Sequence, residues 1–376
     1  AASKAAAFVL ASKPVLPTNV VNYASITLDY NGSATYPNPF QQMIKLNISQ
    51  QGFLTYNGAF ADFELFYPNG TIIPAWIESN QSGNLIIWAK LSNTIYSPSS
   101  LNPAANVIYI GFNTSKNFLS SSGTVGIGEA PQLSPTYAEY DDGASVFNYY
   151  TNFAGTSTPS GWTVSGTVTI NNGMSISGSS SGSQIEYTAG TFGTSSLDWY
   201  GYATVPTGGS GYYTNFGWYS PSNSNSQGNS WFTYYGQSNY GYGYVTSSGG
   251  QATSYSNIAA GSSPNYVFTV DNDGTNAHYA INYAYQSPIY AMQTSTNYIG
   301  FRNGAGSSGG GANVFVQWVR VRAYPPNGVM PSYSISGATL SISPSTSTYP
   351  NGNIVFAAVA PQAQQLARLN TQLAQL

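Results

Sequence analysis

The chain has 376 residues, 41% hydrophobic and 15% aromatic, which is enough for two or three packed domains and excludes a disordered chain. Only 6% of residues are Asp, Glu, Lys or Arg, so Ser, Asn, Gly and Tyr carry the polar surface; a net charge of −3 without a basic patch excludes nucleic acid as a partner. The absence of cysteine excludes disulfides and thiolate chemistry, and with 12 carboxylates to protonate the fold is expected to tolerate acid.

Residues 1–17 form an N-terminal assembly tail in which Ala5 to Ala11 is apolar and Pro14 and Pro17 close the stretch. Phe8, Val9 and Leu10 suit an extended strand added to the open sheet edge of a neighbouring copy. A chain that starts at Ala1 is expected to have lost a leader. No run reaches the roughly 18 apolar residues of a membrane span.

Residues 18–134 read as a first β-sandwich: short runs such as Leu85–Ala89 and Val107–Phe112 alternate with turn clusters such as Tyr67-Pro68-Asn69-Gly70. The five glycosylation sequons, at Asn31, Asn47, Asn69, Asn80 and Asn113, all fall here, so this domain is expected to be glycosylated. Chance in an Asn- and Ser-rich chain is the alternative.

Residues 135–330 continue with period-2 alternation, in which Val164, Val168 and Ile170 share one face and Thr163, Thr167 and Thr169 the other. Between Asp198 and Tyr290 the composition turns to Tyr, Trp, Gly, Ser and Asn, the mixture of recognition surfaces. Candidate glycan- or receptor-binding residues are Trp199, Tyr212, Tyr213, Trp218, Trp231, Tyr234 and Tyr235. The competing reading is that Tyr serves both core and surface in a charge-poor chain. Residues 117–273 hold eight acids and no Lys or Arg, while residues 274–376 hold four Arg and no acid. Arg302, Arg320 and Arg322 either pair with acids of their own domain or contact another copy head to tail.

Residues 331–356 read as a linker or strand, and 357–376 as an oligomerisation helix. Leu366, Leu369, Leu373 and Leu376 follow the 3-4-3 spacing of a coiled-coil seam, with Pro361 at the start. So short a helix needs a surface for its leucine stripe, either copies of itself or its own sandwich.

The runs Ile73–Glu78, Ile87–Lys90 and Val107–Phe112, the stretch Gly128–Asn148 with Asn152–Thr156, and Gln317–Pro331 resemble a two-domain β-sandwich surface module. It is found in extracellular proteins of thermoacidophilic archaea and in spike or tail-fibre proteins of their spindle-shaped viruses. The resemblance covers about residues 25–335 and implies a concanavalin-like jelly roll as the second domain, a fold whose relatives often bind glycans.

Catalytic signals are sparse. Jelly-roll hydrolases pair carboxylates on one strand face, and no such spacing exists here: Glu186 stands alone, while Glu139, Asp141 and Asp142 sit in a turn. His278, the single histidine, has no motif around it. Asp271-Asn-Asp-Gly274 is either a hairpin turn or, through Asp271 and Asp273, a Ca²⁺ site; no other cofactor is expected.

The sequence therefore predicts an all-β chain of two tandem jelly-roll-like β-sandwich domains, with an extended N-terminal tail and a short C-terminal amphipathic helix. The expected function is non-enzymatic: an extracellular virion spike or fibre of an archaeal virus displaying a glycan- or receptor-binding surface. The alternatives are a subunit of an archaeal cell-surface filament joined by strand donation, and a glycoside hydrolase. Expected partners are copies of itself and surface glycans of a host or neighbouring cell.

Overall fold

The computed structural model describes residues 13–29, 36–47, 62–81, 84–92, 106–113, 115–177, 182–203, 213–219, 230–235, 241–245, 251–255, 265–285, 289–292, 296–303, 313–335 and 339–340. The tail residues Phe8, Val9 and Leu10 and the leucines 366, 369, 373 and 376 lie outside them.

The described chain is nearly all β. The strands β1 (Asn22–Asp29), β2 (Phe40–Asn47), β3 (Phe63–Phe66), β4 (Ala75–Gln81), β5 (Asn84–Leu91), β6 (Val107–Phe112) and β7 (Gly128–Glu129) come first. One helical turn, α1 (Gly143–Val146), leads into β8 (Tyr149–Thr151), β9 (Trp162–Ser165), β10 (Val168–Ile170), β11 (Met174–Ile176), β12 (Gln184–Phe192) and β13 (Ser195–Ala203). Then follow β14 (Tyr213–Tyr219), β15 (Ser230–Tyr235), β16 (Gly241–Val245), β17 (Gln251–Tyr255), β18 (Tyr266–Asn272), β19 (Asn276–Ile281), β20 (Ala284–Tyr285) and β21 (Tyr290–Ala291). The described strands end with β22 (Asn297–Asn303), β23 (Val314–Ala323), β24 (Ser332–Ile335) and β25 (Thr339–Leu340).

These strands form four sheets. Sheet I runs β24-β1-β6-β3, with β25 also on β1; sheet II runs β2-β5-β4-β7. Sheet III runs β10-β11-β23-β13-β18-β19-β20, with β8 on β23 and β21 on β19; sheet IV runs β17-β16-β15-β14-β22-β12-β9. Sheets I and II close over Ile26, Phe40, Ile44, Leu65, Ile87 and Ile110. Sheets III and IV close over Trp162, Leu197, Trp199, Trp218, Phe268 and Phe301. A third apolar layer, with Trp76, Trp88, Val146, Phe147 and Trp318, joins sheet II to sheet III. The sheets therefore stack in the order I, II, III, IV.

Stacking explains why several strands read as continuous apolar runs. In β5, Leu85, Ile87, Ala89 and Leu91 enter the first core while Ile86 and Trp88 enter the joining layer. A strand buried on both faces has no solvent face to write as polar. After β23 the chain returns to sheet I, where β24 pairs antiparallel with β1 through Ile26↔Ile335 and Leu28↔Tyr333. The Tyr333 hydroxyl then accepts from Lys45 N at 2.6 Å and donates to Lys45 O at 2.7 Å. Those are main-chain groups on the outer side of β2, so one ring blunts a sheet edge that would otherwise template another strand.

Candidate functional site

Two places concentrate charged side chains on the jelly roll formed by sheets III and IV, one on each sheet. On sheet III, alternation places Leu197, Trp199, Val319 and Val321 in the core and turns Asp198, Arg320 and Arg322 toward sheet II. Arg320 Nε and Arg322 Nε both donate to Asp198 Oδ2, at 2.8 and 2.9 Å, and Thr269 donates to its Oδ1 at 2.7 Å. Arg320 Nη2 reaches across the layer to Glu78 Oε2 at 2.8 Å, an oxygen that also accepts from Trp88 Nε1 and the Tyr283 hydroxyl. The Arg320 guanidinium lies 4.3 Å from the Trp88 ring centre, 4.7 Å from those of Phe147 and Trp318, and 5.5 Å from Trp76. Desolvated cation–π contacts of this kind are worth about 2 kcal/mol or more each.

This cluster is dry: Asp198 and Arg320 are 0% exposed, and Glu78 and Arg322 3%. Burial opposes the charge of Asp198, yet Arg322 and Arg320 overcome it and hold the carboxyl below its usual range. Asp271 differs. Burial pushes it up despite Arg322 at 3.6 Å, and Tyr285 donates to its other oxygen. Nearby, Asp141 accepts from Trp76 Nε1, the Gly143 amide, the Tyr150 hydroxyl and Asn152 Nδ2. It pins the joining segment, and burial raises its carboxyl. No substrate reaches a cluster sealed in this way.

The outer face of sheet IV is the opposite case. Ile185 and Tyr187 pack on the core, so Glu186 between them faces outward; in the same way Tyr298, Gly300 and Arg302 alternate with the core residues Ile299 and Phe301. In register, Glu186 stands across from Gly300, Gln184 from Arg302, Arg302 from Asn215, and Tyr298 from Tyr219. A Cβ at Gly300 would come within 2.7 Å of the Tyr219 ring, so the missing side chain makes room for that ring beside Glu186. The Tyr219 and Tyr298 rings are 5.9 Å apart. Glu186, Tyr298 and Arg302 are half-buried, whereas Asn215 and Tyr219 are buried. Burial pushes the Glu186 carboxyl up and Arg302 draws it partly back; burial and the Glu186 charge together raise the Tyr298 hydroxyl. Glu186 and Arg302 are the acid and the base in the strands of sheet IV.

The residues singled out from sequence fare unequally. Trp199 and Trp218 are corrected: both are buried in the jelly-roll core, with Trp218 Nε1 donating to Val270 O at 2.8 Å, and neither offers a ring to a ligand. The backbone of Tyr213 lies in β14 and that of Trp231, Tyr234 and Tyr235 in β15; Tyr212 lies outside the described residues. Among the sequons, Asn113 is corrected as a glycan acceptor. It is buried, and its Nδ2, the atom a glycan would occupy, donates to Asn19 O at 2.7 Å. Asn69 is exposed in its turn, Asn47 closes β2, Asn80 lies within β4, and Asn31 lies outside the described residues.

Asp273 and Asp271 are occupied separately. Asp273 accepts from the Thr275 and Asn276 amides and from His278 Nε2 in the β18–β19 hairpin, while Asp271 belongs to the sealed cluster. Asx-turn bonding accounts for Asp273. Arg320 and Arg322 pair with acids of the jelly roll, as one reading expected, and Arg320 also with Glu78 of the first sandwich. Asn215, Tyr219 and Tyr298 were not singled out from sequence. Only Tyr298 had a signal in sequence, through its shared strand parity with Arg302 on β22; Asn215 and Tyr219 join it through the β14–β22 register.

No family model matches the chain. Over 138 residues it is 31% identical to Uncharacterized protein 562 of Sulfolobus islandicus rod-shaped virus 1, a match covering 36% of this chain and 23% of that protein. The chain thus spans less than a quarter of that curated relative's length. Solved structures that match include the endo-β-1,3-glucanase of Pyrococcus furiosus, 13% identical with a TM-score of 0.37 over 51% of this chain and 95% of that one. Crh5 transglycosylase in complex with NAG is 13% identical with a TM-score of 0.36 over 50% of this chain and 92% of its own. The Bacillus licheniformis β-glucanase is 13% identical with a TM-score of 0.34 over 46% and 97%.

These matched proteins are enzymes, glucanases and a transglycosylase, which corrects the expectation of a non-enzymatic spike or fibre, and the non-enzymatic assignment is withdrawn. At such identities and TM-scores the chemistry has to be argued from this chain's own residues. No helix of the described residues is long and apolar enough to cross a membrane.

Proposed function

We propose that this chain is a glycan-cleaving enzyme whose saccharide platform is the outer face of sheet IV, with Glu186 as its proton-transfer group. The observation that carries this reading is Glu186 itself, a half-buried carboxyl raised by burial and set beside Tyr298, Tyr219 and Arg302. A carboxyl raised by burial holds a proton more readily than a free one and can pass it on, as general acid–base catalysis requires. The half-buried Tyr298 ring offers a sugar a flat apolar face with a polar tip, and the buried Tyr219 ring packs beside it. The half-buried amide of Gln184, across from Arg302, suits sugar hydroxyls; the buried Asn215 stands across from Arg302 on its other side. An extracellular setting and the two-sandwich surface module, divided as 18–134 and 135–330, belong to the same proposal.

The test is a panel of neutral and acidic glycans assayed for new reducing ends. Glu186→Gln is expected to lower kcat/KM about 10²- to 10⁴-fold with an unchanged thermal midpoint. Full activity in that variant, or no cleavage of any glycan by the native chain, overturns the proposal.

A further inference from the structure

Two-carboxylate glycoside hydrolysis needs a pair about 5–5.5 Å apart in retaining enzymes or about 6.5–9.5 Å apart in inverting ones. The chain has 12 carboxylates, and their positions leave Glu186 without such a partner. Glu78, Asp198 and Asp271 are sealed between sheets II and III, and Asp273 is taken up by its own turn. The remaining seven precede residue 143, in the first sandwich and the segment that joins it to sheet III. The segments that directly flank the strands of sheet IV contain no acid and no base. What stands near Glu186 instead is a guanidinium, Arg302, and a phenol, Tyr298, which flank Gly300 on the same face of β22, diagonal to Glu186 in the strand register.

We infer that the platform takes a polysaccharide of hexuronate units and cleaves it by β-elimination, with Arg302 on the uronate carboxylate, Glu186 as base and Tyr298 as acid. This rests on the saccharide platform proposed above and names its substrate class. An arginine fork matches a carboxylate with two parallel hydrogen bonds. Neutralising that carboxylate acidifies the C5 hydrogen next to it. Glu186 removes this proton; the C5–H electron pair becomes a C4=C5 double bond as the C4–O4 bond breaks, and O4 leaves with the proton of the Tyr298 hydroxyl. Proton return from Glu186 to the phenolate through solvent resets the site. No water is added and no oxidant is needed, so a second carboxylate has no task. A neutral glucan offers neither a carboxylate to Arg302 nor an acidic carbon.

The test uses the full chain with polygalacturonate, alginate and hyaluronan, and with laminarin and a mixed-linkage β-glucan as neutral polymers. Reducing ends are counted alongside the near-ultraviolet absorbance of the conjugated double bond. The expected result is cleavage of at least one uronate polymer with one chromophore per new end. Arg302→Gln should lower kcat about 100-fold; Tyr298→Phe should lower kcat; and reducing the polymer's carboxylates to alcohols should abolish cleavage. That last arm decides the matter even if the Arg302 variant fails to fold. Cleavage of neutral glucans, or of a uronate polymer without the chromophore, overturns elimination while leaving the glycan-cleaving reading intact. No cleavage of any polymer overturns both.

Discussion

The two outward faces of the jelly roll make opposite use of the same rare resource. Sheet III turns Asp198, Arg320 and Arg322 toward sheet II, where tryptophans and Glu78 close over them; sheet IV turns Glu186 and Arg302 outward, where both are half-buried. With 21 charged side chains in 376 residues, each placement matters. A dry, fully paired cluster adds little net stability over an apolar substitute, because desolvation offsets most of the attraction; it does penalise any arrangement that leaves one charge unpaired. It therefore specifies how sheets II and III dock. A half-buried carboxyl close to a cation and a phenol keeps both solvent access and a shifted proton affinity, and that combination permits chemistry. Charge alone does not mark a site; pairing and access divide the two faces.

The comparison breaks most readily at Arg320. Arg320→Ala strands Asp198 and Glu78 without their shared cation, and denaturant unfolding should register a loss of about 3–5 kcal/mol. A loss below about 1 kcal/mol would mean that the cluster does not hold the layers together. On sheet IV, Glu186→Gln should change stability by no more than about 0.5 kcal/mol by the same measurement, because the site has no structural debt to that charge.

A smaller effect comes from Glu64 on sheet I, whose carboxylate oxygens are buried without a well-formed hydrogen bond. Burial pushes it up to about 7, against a weaker pull from the Gly126 amide. The fold thus favours the protonated acid: its contribution is complete below the ordinary value of 4.5 and is lost as pH rises through about 7. Asp142, raised to about 6 by burial, acts in the same direction. Asp198, held low by its arginines, acts in the opposite one, and its contribution disappears only in strong acid. Calorimetry should show the thermal midpoint falling between about pH 5 and 8, with Glu64→Gln flattening that slope and outlasting the native chain at pH 8. An unchanged slope in the variant would remove Glu64 from the account. A modest effect is expected at Asp273: Asp273→Ala loses the turn bonds at a cost of about 1 kcal/mol, and added calcium leaves the native midpoint where it was.

Much of the scaffold was legible. Leu85–Ala89 and Val107–Phe112 became β5 and β6, and Tyr67-Pro68-Asn69-Gly70 became a turn closed by Gly70 N on Tyr67 O at 2.8 Å. These features depend on neighbours in sequence: β-branched and aromatic runs favour extended backbone, and Pro, Asn and Gly favour reversal. The site was much less legible. Trp199 and Trp218 looked like recognition residues by composition, yet strand parity sends both inward. Glu186 looked inert because it lacked a carboxylate partner along its strand, while the groups that give it character come from β22, more than 100 residues away.

The sequence by itself determined the all-β class, the scarcity of charge and the fact that one acid and one base occupy the strands of sheet IV. Alternation fixes which residues share a face. The tertiary structure decided which face of each strand meets water, because that depends on what packs above it: sheet II above sheet III, and no further sheet above sheet IV among the described residues. That stacking turned Asp198 and Arg320 into a sealed joint and left Glu186 and Arg302 accessible.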